Sequence, residues 1–291
     1  MQHPFSLTFR VLLVFMEEFN LQQIHLEPES MDQPVPITVH RHGTGSHLAL
    51  VMHGLGACAT GFERALEVFA PSDWTLVVPD FPGHGQSGGQ AWYPCTPDWY
   101  CFVMEALVRQ MNREPSLVMG HSMGGTIGLL LCETLPGNPF LLNVEGLPEN
   151  LGFLQRRIRR YGDMDPDRGL QKWREEFQGV SDDGIQAWVE WTRSCDPRVF
   201  FESARRFVEL WEQQDMMERF RSYPGDRRFY ICGEHGQSPY VQETLEENAF
   251  GIIPGAAHFP MTTHADAFWS MCRDVLKQRV RPTLDEPEPF T

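Results

Sequence analysis

Apolar residues along this chain come in short runs separated by stretches of helical spacing. Residues 48–52 (LALVM), 74–79 (WTLVVP), 116–119 (SLVM), 140–144 (FLLNV), 228–232 (RFYIC) and 249–254 (AFGIIP) are continuous enough to be strands buried on both faces. Residues 19–26 and 35–41 alternate instead, which predicts an opening antiparallel hairpin. Residues 60–69, 99–111 and 126–135 carry helical spacing, and residues 265–279 form a closing amphipathic helix. Strand and helix in alternation predict an α/β architecture, a parallel sheet with helices on its faces. No internal repeat is visible.

The rhythm breaks over residues 149–222. No strand run appears there, and the stretch holds Trp173, Trp188, Trp191 and Trp211. It also carries 13 of the 24 basic residues, so it lies close to charge balance in a chain of net charge −15. Such a shift marks an inserted, mostly helical unit. The expected organisation is a core of residues 17–146 and 223–280, an insertion of residues 147–222, an N-terminal extension of residues 1–16 and a disordered tail of residues 281–291. The apolar stretch 5–16 is too short to span a bilayer and lacks a basic lead and a cleavage site. Met16 is an alternative start, because Glu17 onward reads directly into a strand.

Length and composition narrow the classes. A chain of 291 residues with 42% hydrophobic and 22% charged residues folds as one large domain with an insertion. The acidic balance opposes nucleic acid and anionic membranes as partners. The seven cysteines are odd in number and form no CxxC pair, so no zinc or thioredoxin spacing is present. They imply a reducing compartment, and a cytoplasmic protein is expected. No metal cluster and no dinucleotide fingerprint appear, so no cofactor is expected. Nothing in the sequence sets an oligomeric state.

Three motifs carry candidate chemistry. Gly120-His121-Ser122-Met123-Gly124 sits between a buried strand and an apolar helix. A reversal that tight strains the middle residue, and small residues two positions away relieve the crowding. Ser122 is thereby presented at a helix N-terminus, where developing negative charge is favoured. His53-Gly54-Leu55-Gly56 ends another strand, and its backbone can aim the Leu55 N–H at a substrate oxygen beside the N–H of Met123. His258 follows the last strand and can supply the base that Ser122 needs. His121 is expected to point to the opposite side of the turn and support it, and His264 to lie on the surface.

In this order, HGLG (53–56), PDFPGHGQS (79–87), GHSMGG (120–125) and PGAAHFPM (254–261) strongly resemble the α/β-hydrolase superfamily. The resemblance covers roughly residues 48–280, apart from the insertion. It implies the α/β-hydrolase fold, a mostly parallel eight-stranded sheet flanked by helices, with the insertion as a helical cap over the active site. It implies Ser122 as nucleophile, His258 as base, and the N–H groups of Leu55 and Met123 as the oxyanion hole. Asp80 to Ser87 is similar to the family's structural loop, so Asp80 is expected to fix that loop. The family's usual acid lies in a G-x-x-D pattern after the cap. Here that stretch is Gly233-Glu234-His235-Gly236, with Gly236 where the Asp is expected. The family's other acid location directly follows the sixth strand, as in haloalkane dehalogenases, and Glu145 stands there. Those enzymes use an Asp nucleophile, so only the acid's location carries over. Glu145 is preferred, Glu234 is the alternative, and an ordinary solvated strand-end Glu is the plain reading.

The expected activity is that of a serine hydrolase, carboxylesterase or thioesterase-like, acting on a small-molecule ester or thioester with a small to medium acyl group. Acyl transfer, cleavage of a C–C bond next to a ketone, and a non-catalytic binding protein are the alternatives. Arg156, Arg157, Arg159 and Arg160 form a basic cluster in the insertion. Facing inward, they would favour an anionic substrate group. Facing outward, they are a solvated face balanced by Asp163, Asp165 and Asp167. The insertion's tryptophans read as packing, although the resemblance implies caps that line pockets with aromatics.

Overall fold

The computed structural model describes residues 20–27, 33–69, 73–148 and 151–280, and the readings of the extension and the tail lie outside these residues. Eight strands form one sheet: β1 (Asn20–Leu26), β2 (Val35–His42), β3 (His47–Met52), β4 (Trp74–Pro79), β5 (Leu117–His121), β6 (Phe140–Val144), β7 (Arg228–Gly233) and β8 (Phe250–Ile253), in the order β1-β2-β4-β3-β5-β6-β7-β8. The β1–β2 and β2–β4 pairs are antiparallel, and every other pair is parallel. This is the mostly parallel eight-stranded α/β-hydrolase sheet implied above.

The buried strands read as continuous apolar runs because both faces are covered. Along β3, Leu48, Leu50 and Met52 join one core cluster, while Ala49 and Val51 join the other. The helices α2 (Pro97–Met111) and α3 (Met123–Thr134) supply the first cluster with Trp99, Val103, Leu107 and Ile127. The closing helix α11 (Ala265–Arg279) supplies the second with Phe268, Cys272 and Val275.

Helix starts differ most from the sequence reading. The helix α2 begins two residues earlier than expected, because the Thr96 hydroxyl accepts the Trp99 N–H at 3.2 Å and Pro97 fits the first turn. The helix α3 begins three residues earlier, since Ser122 itself is its N-cap residue. Residues 60–69 are mostly not α-helical. A 3-10 segment (Ala59–Ala65), kinked at Phe62, leads into the short α1 (Leu66–Phe69). Its entry is held by Asp80, which draws off the Ala59 N–H at 2.7 Å.

Between β6 and β7 the described residues hold helices and no strand: α4 (Gly152–Tyr161), α5 (Pro166–Glu175), α6 (Asp183–Trp191), α7 (Pro197–Gln213) and α8 (Met216–Ser222). Asp165, Asp182, Asp196 and Asp215 cap α5, α6, α7 and α8 through their carboxylates. A short helix, α9 (Ser238–Thr244), follows β7. The helix α10 (Pro260–Thr263) precedes α11.

Asp80 anchors the 79–87 loop. Its buried carboxylate accepts the N–H groups of Ala59 and Gln86 (3.0 Å) and faces His40 Nε2 at 3.2 Å. Burial alone would raise the Asp80 carboxyl, but the His40 hydrogen bond, the electrostatic pull of the neighbouring His53 and His40 rings and the Gln86 N–H outweigh it and hold it below its ordinary value. Asp80→Ala strands two amides, so it is expected to lower stability by about 2–4 kcal/mol in urea unfolding at neutral pH. The sign of the shift makes this contribution fade as pH falls through the carboxyl's folded-state value, so the difference from wild type should shrink in acid.

Candidate active site

The parallel strands end on one edge, and their following loops bring distant residues together there. Ser122 ends the β5 turn with φ 52° and ψ −119°, a strained backbone for a residue with a side chain. Its N–H donates to Val144 O at 2.8 Å, and its carbonyl accepts from Gly125 and Thr126. A Cβ on Gly120 would overlap Gly124 O, and one on Gly124 would lie 2.5 Å from the carbonyl oxygens of Met52 and His53. Glycine is therefore required at both positions for the chains to pass.

His258 stands in the loop after β8. Its Nδ1 lies 3.5 Å from Glu145 Oε2, and its side chain is 42% exposed where that of Glu145 is fully buried. Glu145 follows β6 with φ 52°, its N–H donates to Ile231 O, and its Oε1 accepts the Gly233 N–H at 2.8 Å. The structure thus brings Glu145, not Glu234, to the imidazole. Glu234 is exposed, and its carboxylate accepts the Gly255 N–H at 2.8 Å. Gly236 is pressed against the Glu145 carboxylate, with no room for a Cβ. Among the described residues, no hydrogen bond joins the Ser122 hydroxyl to His258, although both line the same cavity.

His121 departs from expectation. It lines the cavity, and its Nε2–H donates to the backbone carbonyl of His258 at 2.8 Å. Burial, with the His258 ring beside it, holds the His121 imidazole well below its ordinary pKa, which keeps it a neutral donor. It therefore supports the loop bearing His258. His264 is half-buried and starts α11, with Nδ1 3.0 Å from the Thr263 hydroxyl.

The cavity measures about 310 Å³. Gly54, Leu55, His121, Ser122, Glu145, Gln237 and His258 line it. Leu151, Phe153, Leu154, Phe177, Ile185 and three tryptophans, Trp173, Trp188 and Trp211, form its wall. The reading of these tryptophans as packing alone is thus corrected for three of the four. Trp191 packs instead against Phe259, with ring centroids 6.4 Å apart. Met123 is buried at the first turn of α3, where a helix leaves its N–H groups without an internal acceptor.

Among the described residues no arginine or lysine lines the cavity. Arg157 pairs with Glu176 at 2.9 Å and lies over the Phe153 ring at 4.0 Å, while Arg160 meets the same carboxylate at 2.7 Å. Glu176, rather than the expected aspartates, balances them. Asp163 pairs with Arg205 instead. Among the described residues, no group of three or more His, Cys, Asp or Glu is placed to hold a metal ion. All seven cysteines are buried, and burial, with the nearby Asp80 charge, raises the Cys58 thiol to about 11. No helix among the described residues is long and apolar enough to cross a membrane.

Comparison with known proteins adds a family and a set of relatives. A family model described as "Alpha/beta hydrolase family" matches residues 49–270. Human monoglyceride lipase is 32% identical over 102 residues, 33% of each chain. The magnesium-chelatase 30 kDa subunit of Rhodobacter capsulatus is 34% identical over 92 residues, 30% of each chain. The matched stretch thus spans about a third of the length of these curated relatives. Among solved structures, a thermophilic esterase from Thermogutta terrifontis superposes with a TM-score of 0.72 at 16% identity, covering 89% of this chain and 100% of that one. At that identity the likeness is one of fold.

Proposed function

The chain belongs to the alpha/beta hydrolase family, and from that premise we propose that it is a serine hydrolase of carboxylic esters or thioesters with an uncharged, small to medium apolar acyl group. The observation that carries this reading is the convergence of Ser122, His258 and Glu145 on one aromatic-walled cavity, with Glu145 Oε2 facing His258 Nδ1 at 3.5 Å.

Glu145 orients the imidazole so that Nε2 serves as base. Ser122 Oγ attacks the acyl carbon and passes its proton to His258 Nε2. The oxyanion formed is held by the N–H groups of Leu55 and Met123, and the N-terminus of α3 adds its dipole. Collapse expels the alcohol or thiol, which takes the proton from His258, and leaves Ser122 acylated. Water, deprotonated by His258, then attacks the acyl carbon and releases the acid with Ser122 restored. The partial exposure of His258 gives that water a route.

The cavity's size selects acyl groups at the small end of ligand range. Its wall offers no cation, so a carboxylate on the acyl chain would be buried unpaired. Esters ending in a carboxylate are expected to show kcat/KM at least about tenfold below neutral isosteres, a cost above 1.4 kcal/mol. Intact-mass analysis after a fluorophosphonate tests the nucleophile. A single adduct on wild type and none on Ser122→Ala supports the reading. Labelling that survives Ser122→Ala, or a folded wild type that takes no label, would overturn it.

A further inference from the structure

The Leu55 N–H can serve as an oxyanion donor only while the peptides on both sides of Leu55 hold their orientation. A trans peptide is planar with its C=O and N–H opposed, so fixing one end of a peptide aims the other. The Gly54 carbonyl is held from the core, by His53 Nδ1–H at 2.8 Å and Ala57 N–H at 3.1 Å. His53 carries its proton on Nδ1 because its Nε2 accepts the Phe81 N–H at 2.9 Å. Among the described residues, no core group holds the next peptide in this way. Its Leu55 carbonyl accepts instead from the indole Nε1–H of Trp188 at 2.7 Å, across 133 residues of sequence, and Trp188 belongs to α6 of the inserted helices.

The Leu55–Gly56 peptide is therefore held from the insertion, by that bond and by packing at Gly56. Gly56 has φ 69°, in the region only glycine enters freely, and its Cα faces Thr192 and Phe200 from the insertion closely enough that a Cβ would lie 2.9 and 2.8 Å from them. Trp188 itself is fixed by packing, edge to face with Phe177 at 5.6 Å and beside Phe200 at 6.2 Å.

We infer that Trp188 is a positioning residue for the oxyanion hole: its indole N–H ties the inserted helices to the Leu55–Gly56 peptide and, together with the bonds on the Gly54 carbonyl, fixes the backbone on both sides of Leu55 so that its N–H stays aimed at the reacting oxygen. This rests on the role given above to Leu55. It makes the helical insertion part of the transition-state machinery as well as the acyl pocket's wall.

The test is Trp188→Phe, which keeps an aromatic ring against Phe177 and Phe200 but removes the donor. Rates are measured on the best neutral ester, with an alkyl boronic acid as tetrahedral mimic on Ser122 and the matching primary amide as ground-state mimic. We expect kcat to fall about tenfold with KM unchanged, the loss of one well-placed hydrogen bond expressed in the transition state. Boronic acid affinity should fall by the same factor and amide affinity should hold. If the Phe variant misfolds, β-(3-benzothienyl)alanine at position 188 keeps the indole's shape without its N–H and should give the same result. Unchanged kcat and boronate affinity would overturn the inference, as would a change confined to KM and amide affinity, which marks a wall residue only. A wild type that neither labels at Ser122 nor hydrolyses any ester would overturn the function proposed above and this inference with it.

Discussion

Glu145→Gln is expected to lower kcat about 10³- to 10⁴-fold, the scale seen when a triad carboxylate becomes an amide. The Glu145 side chain is fully buried, with one oxygen engaged by the Gly233 N–H and the other facing His258 Nδ1. A glutamine amide in that place offers either an N–H against an N–H or a weaker neutral acceptor. Either way the tautomer with a free Nε2 base loses its support, and the imidazolium loses its counter-charge. Glu234→Gln is expected to change kcat only about twofold, as an exposed substitution away from the reacting groups. Side-by-side steady-state rates on one neutral ester decide the matter. A larger loss in Glu234→Gln, or near-native rates in both variants, would remove Glu145 from the triad.

Gly236→Asp is expected to be nearly as damaging, about 10³-fold in kcat, although it adds a carboxylate at the place where the family resemblance leads one to expect it. A Cβ at Gly236 overlaps Glu145 Oε1, so the new side chain must push the Glu145 carboxylate away from the imidazole. It would also bring two carboxyl groups together, and the charge of one favours protonation of the other. The revealing experiment is the combination. Glu145→Ala with Gly236→Asp empties the space and offers a carboxylate from the β7 side. It should recover at least about tenfold over Glu145→Ala alone, a fraction of the full triad contribution because the new acid lacks an evolved set of supports. No recovery in a folded double variant would mean that position 236 does not address His258.

These outcomes mark where the sequence was legible. Strands buried on both faces announce themselves as unbroken apolar runs, which is why β4 and β6 match their sequence ranges and why Ser122 and His258 could be named from the motifs after β5 and β8. The turn at Ser122 is equally local, since the glycines that let the chain pass are two residues from the serine on either side. Helix starts were read late where a cap decides them, as at Thr96 and Ser122. The 3-10 segment was read as a helix because its geometry is set by Asp80, fifteen or more residues away.

The sequence by itself therefore determined the sheet and the strained serine, because each follows from the spacing of nearby residues, while the short list of carboxylates that could serve the serine is what the family resemblance implies. Only the tertiary structure decided which carboxylate meets His258, that His121 holds the His258 carbonyl, that Arg157 and Arg160 turn to Glu176, and that Trp188 reaches the Leu55 carbonyl. Each of those pairings joins segments whose approach is set by how helices pack on the sheet edge, and no local pattern of apolar and polar residues encodes that distance.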